Sequence, residues 1–284
     1  MKKVKKYISI IIIMLMIFES IETDGLLSKT TKIYGAETDK ESVREVDMDG
    51  SLETEESRDI EVYNSDSEEL VYGDYKYSIV DNNAVIDKYT GSNSTVIVPD
   101  NIDGYDVTGI GNYAFAGCTN IKDIKLPETL ESIGYMAFGN CTGLESIKIP
   151  SKVKTIGQNA FWCCSNLKEI NLPEGIENIG SDFIKETKIE KIKIPKSLKS
   201  GSSALYGANE LKKVEFEEGT ETIISGICSV DYSENKIEEI IIPDGVTEIE
   251  SVAFAGCKNI KDIKLPETLE SIGYMAFGNC TGLE

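Results

Sequence analysis

The chain has 284 residues, 49 of them acidic against 29 basic, no histidine, and a formal charge of −20. So acidic a surface excludes duplex nucleic acid as the partner, because that binding is built on clustered cations. Without histidine, serine and cysteine triads lose their usual base and a mixed Cys/His zinc site cannot be completed.

Lys2, Lys3, Lys5 and Lys6 precede an apolar run from Tyr7 to Phe18. That run of 12 residues is shorter than a bilayer span and follows a basic start, so residues 1–36 read as an export signal. Gly35 or Ala36 offers a cleavage point, although Ile33 and Tyr34 are larger than the usual partner; an uncleaved N-terminal anchor is the alternative, and it is the only membrane contact expected. Either outcome places the rest of the chain in the secreted or cell-surface compartment. No Leu-x-x-Cys lipobox stands near the run, so no lipid anchor is expected.

Residues 37–74 carry 15 acidic side chains against Lys40, Arg44 and Arg58, a net −12, with too few apolar residues to offset ordering entropy. They read as a disordered acidic linker; Asp47-Met48-Asp49-Gly50 is only a fragment of a calcium loop. Residues 75–111 read as a modified first coil, the N-terminal cap. Tyr77, Ile79 and Val80, then Ala84 to Ile86, suggest short strands, and Val96-Ile97-Val98-Pro99 and Ile110-Gly111 match the strand end and the Ile-Gly terminus of the coils beyond residue 111.

From Asn112 the chain repeats itself. Asn112–Gly134, Tyr135–Gly157 and Gln158–Gly180 share the frame Ala-Phe-x-x-Cys-x-x-Leu/Ile-x-x-Ile-x-Leu/Ile-Pro-x-x-Leu/Val/Ile-x-x-Ile-Gly at a period of 23 residues, the signature of a solenoid. Prolines recur at 127, 150, 173, 195, 243 and 266, with Glu217 in the vacant slot. Residues 181–236 are irregular: Phe183 stands alone, Ala204-Leu205 and Ala208 replace the signature, and Cys228 is out of register in a coil that carries an insertion of three residues. Leu167-x-x-Ile170-x-Leu172 alternates as a half-buried strand must, so stacked copies predict a parallel sheet, closed by proline and opposed by short helical turns at Ala-Phe.

Ala114-Phe115-x-x-Cys118, Ile121-x-x-Ile124-x-Leu126-Pro127 and Ile133-Gly134, with their later copies, resemble the BspA-like leucine-rich repeats of bacterial surface proteins, over about Tyr75 to the end of the chain. The resemblance implies a curved right-handed solenoid with a parallel sheet on its concave face, an exported location, no cofactor, and roles in attachment to host proteins or other cells.

Five of the seven cysteines, at 118, 141, 164, 257 and 280, occupy one repeat slot. Stacked copies point the same way, unlike the facing Cβ vectors of a disulfide, so buried free thiols are favoured over bridges. Cys163 is the exposed exception, a candidate reactive thiol without an evident base. Gly109-Ile-Gly111-Asn-Tyr-Ala114 imitates a dinucleotide fingerprint and Ser151-x-x-Lys154 a β-lactamase motif, but the first is repeat frame and the second lacks its partner motifs; no catalytic residue is assigned and an enzyme is not expected.

Two functions remain: a protein- or glycan-binding adhesion module, and a passive spacer or surface-coat array. If Ile170 and Leu172 point inward, Glu169 and Asn171 point outward. That rule yields two outward columns, Asp123, Ser146, Glu169, Lys191, Lys213, Glu239, Asp262 and Lys125, Lys148, Asn171, Lys193, Glu215, Ile241, Lys264. The strip Lys148, Glu169, Asn171, Lys191, Lys193, Lys213 and Glu215 is the candidate ligand-binding face for a host or cell-surface protein or an acidic glycan, with Glu169 and Glu215 able to neutralise its lysines. Finally, Tyr113–Glu145 and Val252–Glu284 agree at 31 of 33 positions, exposed ones included, as a recent duplication would leave them. The second copy stops inside a repeat, where terminal repeats need a polar cap, so the chain is expected to be a fragment continuing into further coils or an anchoring module.

Overall fold

The computed structural model describes residues 69–229 and 236–283. The segment expected to be an export signal, the acidic stretch up to residue 68, part of the insertion before Lys236, and Glu284 lie outside the described residues. The described residues form a β-solenoid of about eight turns, as the 23-residue frame requires. Most turns carry two short strands rather than one.

The first strand is the alternating Ile-x-Leu segment. Thr95–Ile97 pairs with Asp123–Lys125, Ser146–Lys148 with Glu169–Asn171, and Lys191–Ile194 with Lys213–Phe216, which pairs on with Glu239–Ile241, all in parallel. The expected single sheet is therefore in three pieces, interrupted between the rungs at Lys125 and Ser146 and between those at Asn171 and Lys191. Asp262 and Lys264, expected as a last rung, lie outside any strand.

The second strand is the Ser/Thr/Asn-Ile pair before glycine. Ser132–Ile133, Thr155–Ile156 and Asn178–Ile179 stack in parallel on Tyr105–Ile110, a bridge continues to Ser200, and Thr222–Ile223, Glu248–Ile249 and Ser271–Ile272 carry the ladder on. Glycine comes next because the coils touch there: a Cβ on Gly157 would lie 2.5 Å from the carbonyl carbon of Gly134, and one on Gly180 2.2 Å from the Gln158 nitrogen.

Opposite the strands, none of the described residues is helical; the expected helical turns are turns of another kind. Their backbone N–H groups alternate in direction. Tyr113, Phe115 and Gly117 donate to Tyr135, Ala137 and Gly139 of the next coil, whereas Ala114, Ala116 and Cys118 donate within their own turn to Gly111, Tyr113 and Phe115. A helix would use all of these groups internally; here half of them join coils. The alternation demands two left-handed residues per coil, one before Ala-Phe (Tyr113 at φ 59°, Met136 at 48°, Asn159 at 56°) and one before the cysteine slot (Asn140 at 61°, Cys163 at 57°, Glu186 at 60°). Left-handed backbone strains most of these residues, and the inter-coil bonds hold them there.

The core is a set of columns. Tyr89, Phe115, Phe138 and Phe161 stack ring on ring at 5.1–5.3 Å, and Phe254 and Phe277 resume the column at 5.2 Å. Between them Ile184, Leu205 and Cys228, all fully buried, hold the phenylalanine slot; the Cys228 N–H donates to Ala253 as Phe115 does to Ala137. Phe183 stands one place earlier, in the alanine slot. Phe216, in the leucine slot of its strand, lies edge-on to Phe254 at 6.0 Å and occupies space that the small Cys228 leaves. The N-terminal end is closed by the antiparallel hairpin Tyr75–Val80 and Asn83–Tyr89, whose turn uses left-handed Asp81 and Asn82, and by the edge strand Leu70–Tyr72. Residues 70–74, assigned to the acidic linker by composition, thus belong to the cap.

All seven cysteines are free. The repeated thiol has a specific use: Cys141, Cys164 and Cys280 donate to the carbonyls of Phe115, Phe138 and Phe254 one coil back, at 3.1–3.2 Å. Burial pushes the Cys118 thiol up to about 11, hydrogen bonding to Cys164 and then burial raise Cys141, and burial raises Cys228 and Cys280. Two outcomes are expected. At pH 8, Ellman's reagent reacts slowly with the native protein and with all seven thiols after denaturation. Because the folded Cys118 thiol ionises above the ordinary value of 9.0, its contribution is complete below pH 9 and lost as pH rises through about 11, so thermal melts between pH 8 and 11 should show Tm falling.

Candidate functional site

The outward columns of the Ile-x-Leu strand hold every residue of the expected binding strip. Ile147, Ile192 and Val214 are buried, while Lys148, Glu169, Asn171, Lys191 and Lys193 are exposed and Lys213 and Glu215 half-buried. The register sets Ser146 beside Glu169, Lys148 beside Asn171, Lys191 beside Lys213, and Lys193 beside Glu215. The interruption after Asn171 divides the strip: Lys148, Glu169 and Asn171 share one piece, and Lys191, Lys193, Lys213 and Glu215 the next.

The lysines are not neutralised by the carboxylates expected to do it. Lys193 reaches Glu217 at 3.5 Å and Lys213 reaches Glu239 at 3.1 Å. Glu217 stands where other coils have proline, and its second oxygen accepts the Lys196 N–H at 3.3 Å. The missing proline was visible in the sequence; its replacement as an ion-pair partner was not, because it lies outside the period-two columns. Among the described residues no carboxylate lies within salt-bridge distance of Lys125, Lys148 or Lys191.

The columns that flank the strands behave differently. Just before the Ile-x-Leu strand the chain runs Lys122, Glu145, Lys168, Glu190, Lys212, Glu238, Lys261, and just before the second strand Glu131, Lys154, Glu177, Lys199, Glu221, Thr247, Glu270. Backbone bonds from Lys168 to Glu145, Lys212 to Glu190, Glu238 to Lys212 and Lys199 to Glu177 prove these residues neighbours in the stack. Lys212 pairs with Glu190 at 3.1 Å and Lys199 with Glu177 at 2.9 Å, holding the exposed Glu177 carboxyl below its ordinary range. Sign thus changes from coil to coil over most of both columns, while Lys122, Lys154, Lys168 and Lys261 make no ion pair among the described residues. On the strand columns Lys125 precedes Lys148 by one coil and Lys191 lies directly beside Lys213, an arrangement that costs tenths of a kcal/mol.

Three shallow grooves open along this face. One, of about 330 Å³, is lined by Asp123, Lys125, Glu128, Ser146 and Lys148 at the first interruption; a second, of about 380 Å³, by Ser146, Lys148, Glu169, Asn171 and Lys191; and a third, of about 540 Å³, by Lys168, Glu169, Lys188, Glu190, Lys191 and Glu210. The Asn171 Oδ1 accepts the Ile149 N–H at 3.1 Å. Cys163, the candidate reactive thiol, is half-buried and donates to Glu186 at 2.8 Å; partial burial, then that carboxylate, push it up to about 12, the reverse of activation. Among the described residues no cluster of cysteine and carboxylate side chains could hold a metal ion.

A family model described as a BspA type leucine rich repeat region matches residues 88–212 and 225–284 in six copies. Among solved structures, a leucine-rich repeat protein of T. pallidum superposes with a TM-score of 0.57 at 27% identity, covering 68% of this chain and 91% of the other. A leucine-rich repeat protein of Bacteroides ovatus gives 0.53 at 25% identity, covering 76% and 70%. A leucine-rich cell surface protein of Faecalibacterium prausnitzii gives 0.48 at 28% identity, with 76% of this chain covered and 53% of the other. No curated protein matches the chain.

Proposed function

The chain belongs to the BspA-type leucine-rich repeat family, and from that premise we propose that it is an exported, non-enzymatic module that binds a cell-surface or host protein or an acidic glycan through its strand face. The basic start and the apolar run from Tyr7 to Phe18, read as an export signal, support the location. The contrast between column types carries the binding reading: the flanking columns change sign from coil to coil over most of their length, while the strand columns set Lys125 one coil before Lys148 and Lys191 directly beside Lys213. A passive spacer would be served by neutralising all columns alike.

The test uses the full chain, immobilised and exposed to extracellular-matrix proteins and intact cells at rising ionic strength. Binding should fall with salt, since exposed charges are screened within about 8 Å at physiological strength. Lys191→Ser, Lys193→Ser and Lys213→Ser together should weaken it without changing the circular dichroism, because no core residue is touched. Lys191→Ser alone should produce most of that loss, since Glu217 and Glu239 already hold the other two lysines. Equal affinity for the parent and the triple variant would place the site elsewhere on the solenoid.

A further inference from the structure

Resting on the strand face as the binding surface, we infer that the groove between the rungs at Asp123–Lys125 and Ser146–Lys148 is a saccharide subsite, and that its ligand is a sulfated or carboxylated glycan rather than an acidic peptide. Three observations converge. The strand ladder is interrupted at this boundary, so adjacent coils are not bridged where the groove opens. Its volume, about 330 Å³, is at the lower end of small-ligand sites and suits a single sugar ring. Its lining is mixed: Lys125 and Lys148 have no ion-pair partner among the described residues, while Asp123, Glu128 and Ser146 share the same walls.

That mixture selects between anionic ligands. The two ammonium groups take a sulfate or carboxylate through charge-assisted hydrogen bonds. Asp123 and Glu128 are acceptors only, and a glycan brings hydroxyl donors around its ring for them, whereas the side chains of a run of glutamates bring none and leave only the backbone N–H groups. Against a polyglutamate segment those carboxylates are repulsive. Ser146, exposed beside them, donates or accepts according to the hydroxyl it meets.

The experiment is calorimetric titration of the full chain with a heparin-derived tetrasaccharide, with the same tetrasaccharide desulfated, and with a glutamate oligomer of equal charge. Lys125→Ser with Lys148→Ser is set beside a control carrying Lys199→Ser and Lys212→Ser, which removes the same charge from two ion-paired lysines outside the groove. The sulfated sugar should bind the parent and the control alike, weaken roughly tenfold for each groove lysine removed, and weaken with salt. Unchanged affinity in the groove variant, equal binding of the glutamate oligomer, or no binding of the sulfated sugar would each overturn the inference. If the parent still binds cells through Lys191 while the sugar fails, the groove assignment falls and the strand-face function stands.

Discussion

Gly157→Ala is expected to separate the solenoid at its third coil. The new methyl carbon would lie 2.5 Å from the carbonyl carbon of Gly134 and 2.7 Å from the Tyr135 nitrogen, both backbone atoms that cannot turn aside. The coils must move apart, loosening the bond from the Gly157 N–H to Ile133 and the alternating turn bonds beyond it. The cost is at least about 3 kcal/mol, at the upper end of overpacking effects. Because a repeat array is held by nearest-neighbour interfaces, the loss should appear as uncoupling. In a urea titration Trp162, the single tryptophan, would report a transition apart from that of the far-ultraviolet circular dichroism, whereas the parent gives coincident curves. Gly245→Ala is the contrast: nothing stands within 4 Å of its Cβ, so only its left-handed φ of 103° opposes the change, at about 1 kcal/mol.

Phe138→Ala should cost about 3–5 kcal/mol, the range for truncating a buried aromatic. Its ring lies between Phe115 at 5.1 Å and Phe161 at 5.3 Å, with only 1% of the residue exposed, so the void is sealed on both sides by rings that have no room to tilt inward. Phe138→Leu should recover much of the loss, because the same column already takes Ile184 and Leu205. Chemical denaturation of the three proteins measures both steps. A leucine variant as unstable as the alanine one would mean that ring stacking, rather than filled volume, dominates this column.

The repeat frame was legible because each buried slot recurs at a fixed step, so Phe115, Cys141 and Ile147 announce their partners one coil away. The second strand ladder was not: Ser132–Ile133 is only two residues long and looks like the tail of the unit. Ala-Phe gave no means of telling a helix from a turn, because the choice is made by the neighbouring coil, which takes the Phe115 N–H through the Ala137 carbonyl. Cys228 looked misplaced because an insertion broke the spacing; folding returns it to the phenylalanine slot, where Phe216 fills the remaining space. On the strand face, alternation named the outward columns correctly, including Lys148 and Lys191. It could not name Glu217 as the partner of Lys193, nor show that the ladder opens beside Lys125.

The alternating flanking columns give the solenoid a parity. Since Lys122, Glu145, Lys168, Glu190, Lys212, Glu238 and Lys261 change sign at every step, excising one coil would abut two lysines or two glutamates, and the Glu131 to Glu221 column would fail at the same junction. Excising two restores both. The near-identical segments beginning at Tyr113 and Val252 obey this, with Lys122 and Lys261 six coils apart and of one sign. The unit that can be gained or lost without bringing like charges together in these two columns is therefore a pair of coils, twice the length of the structural repeat.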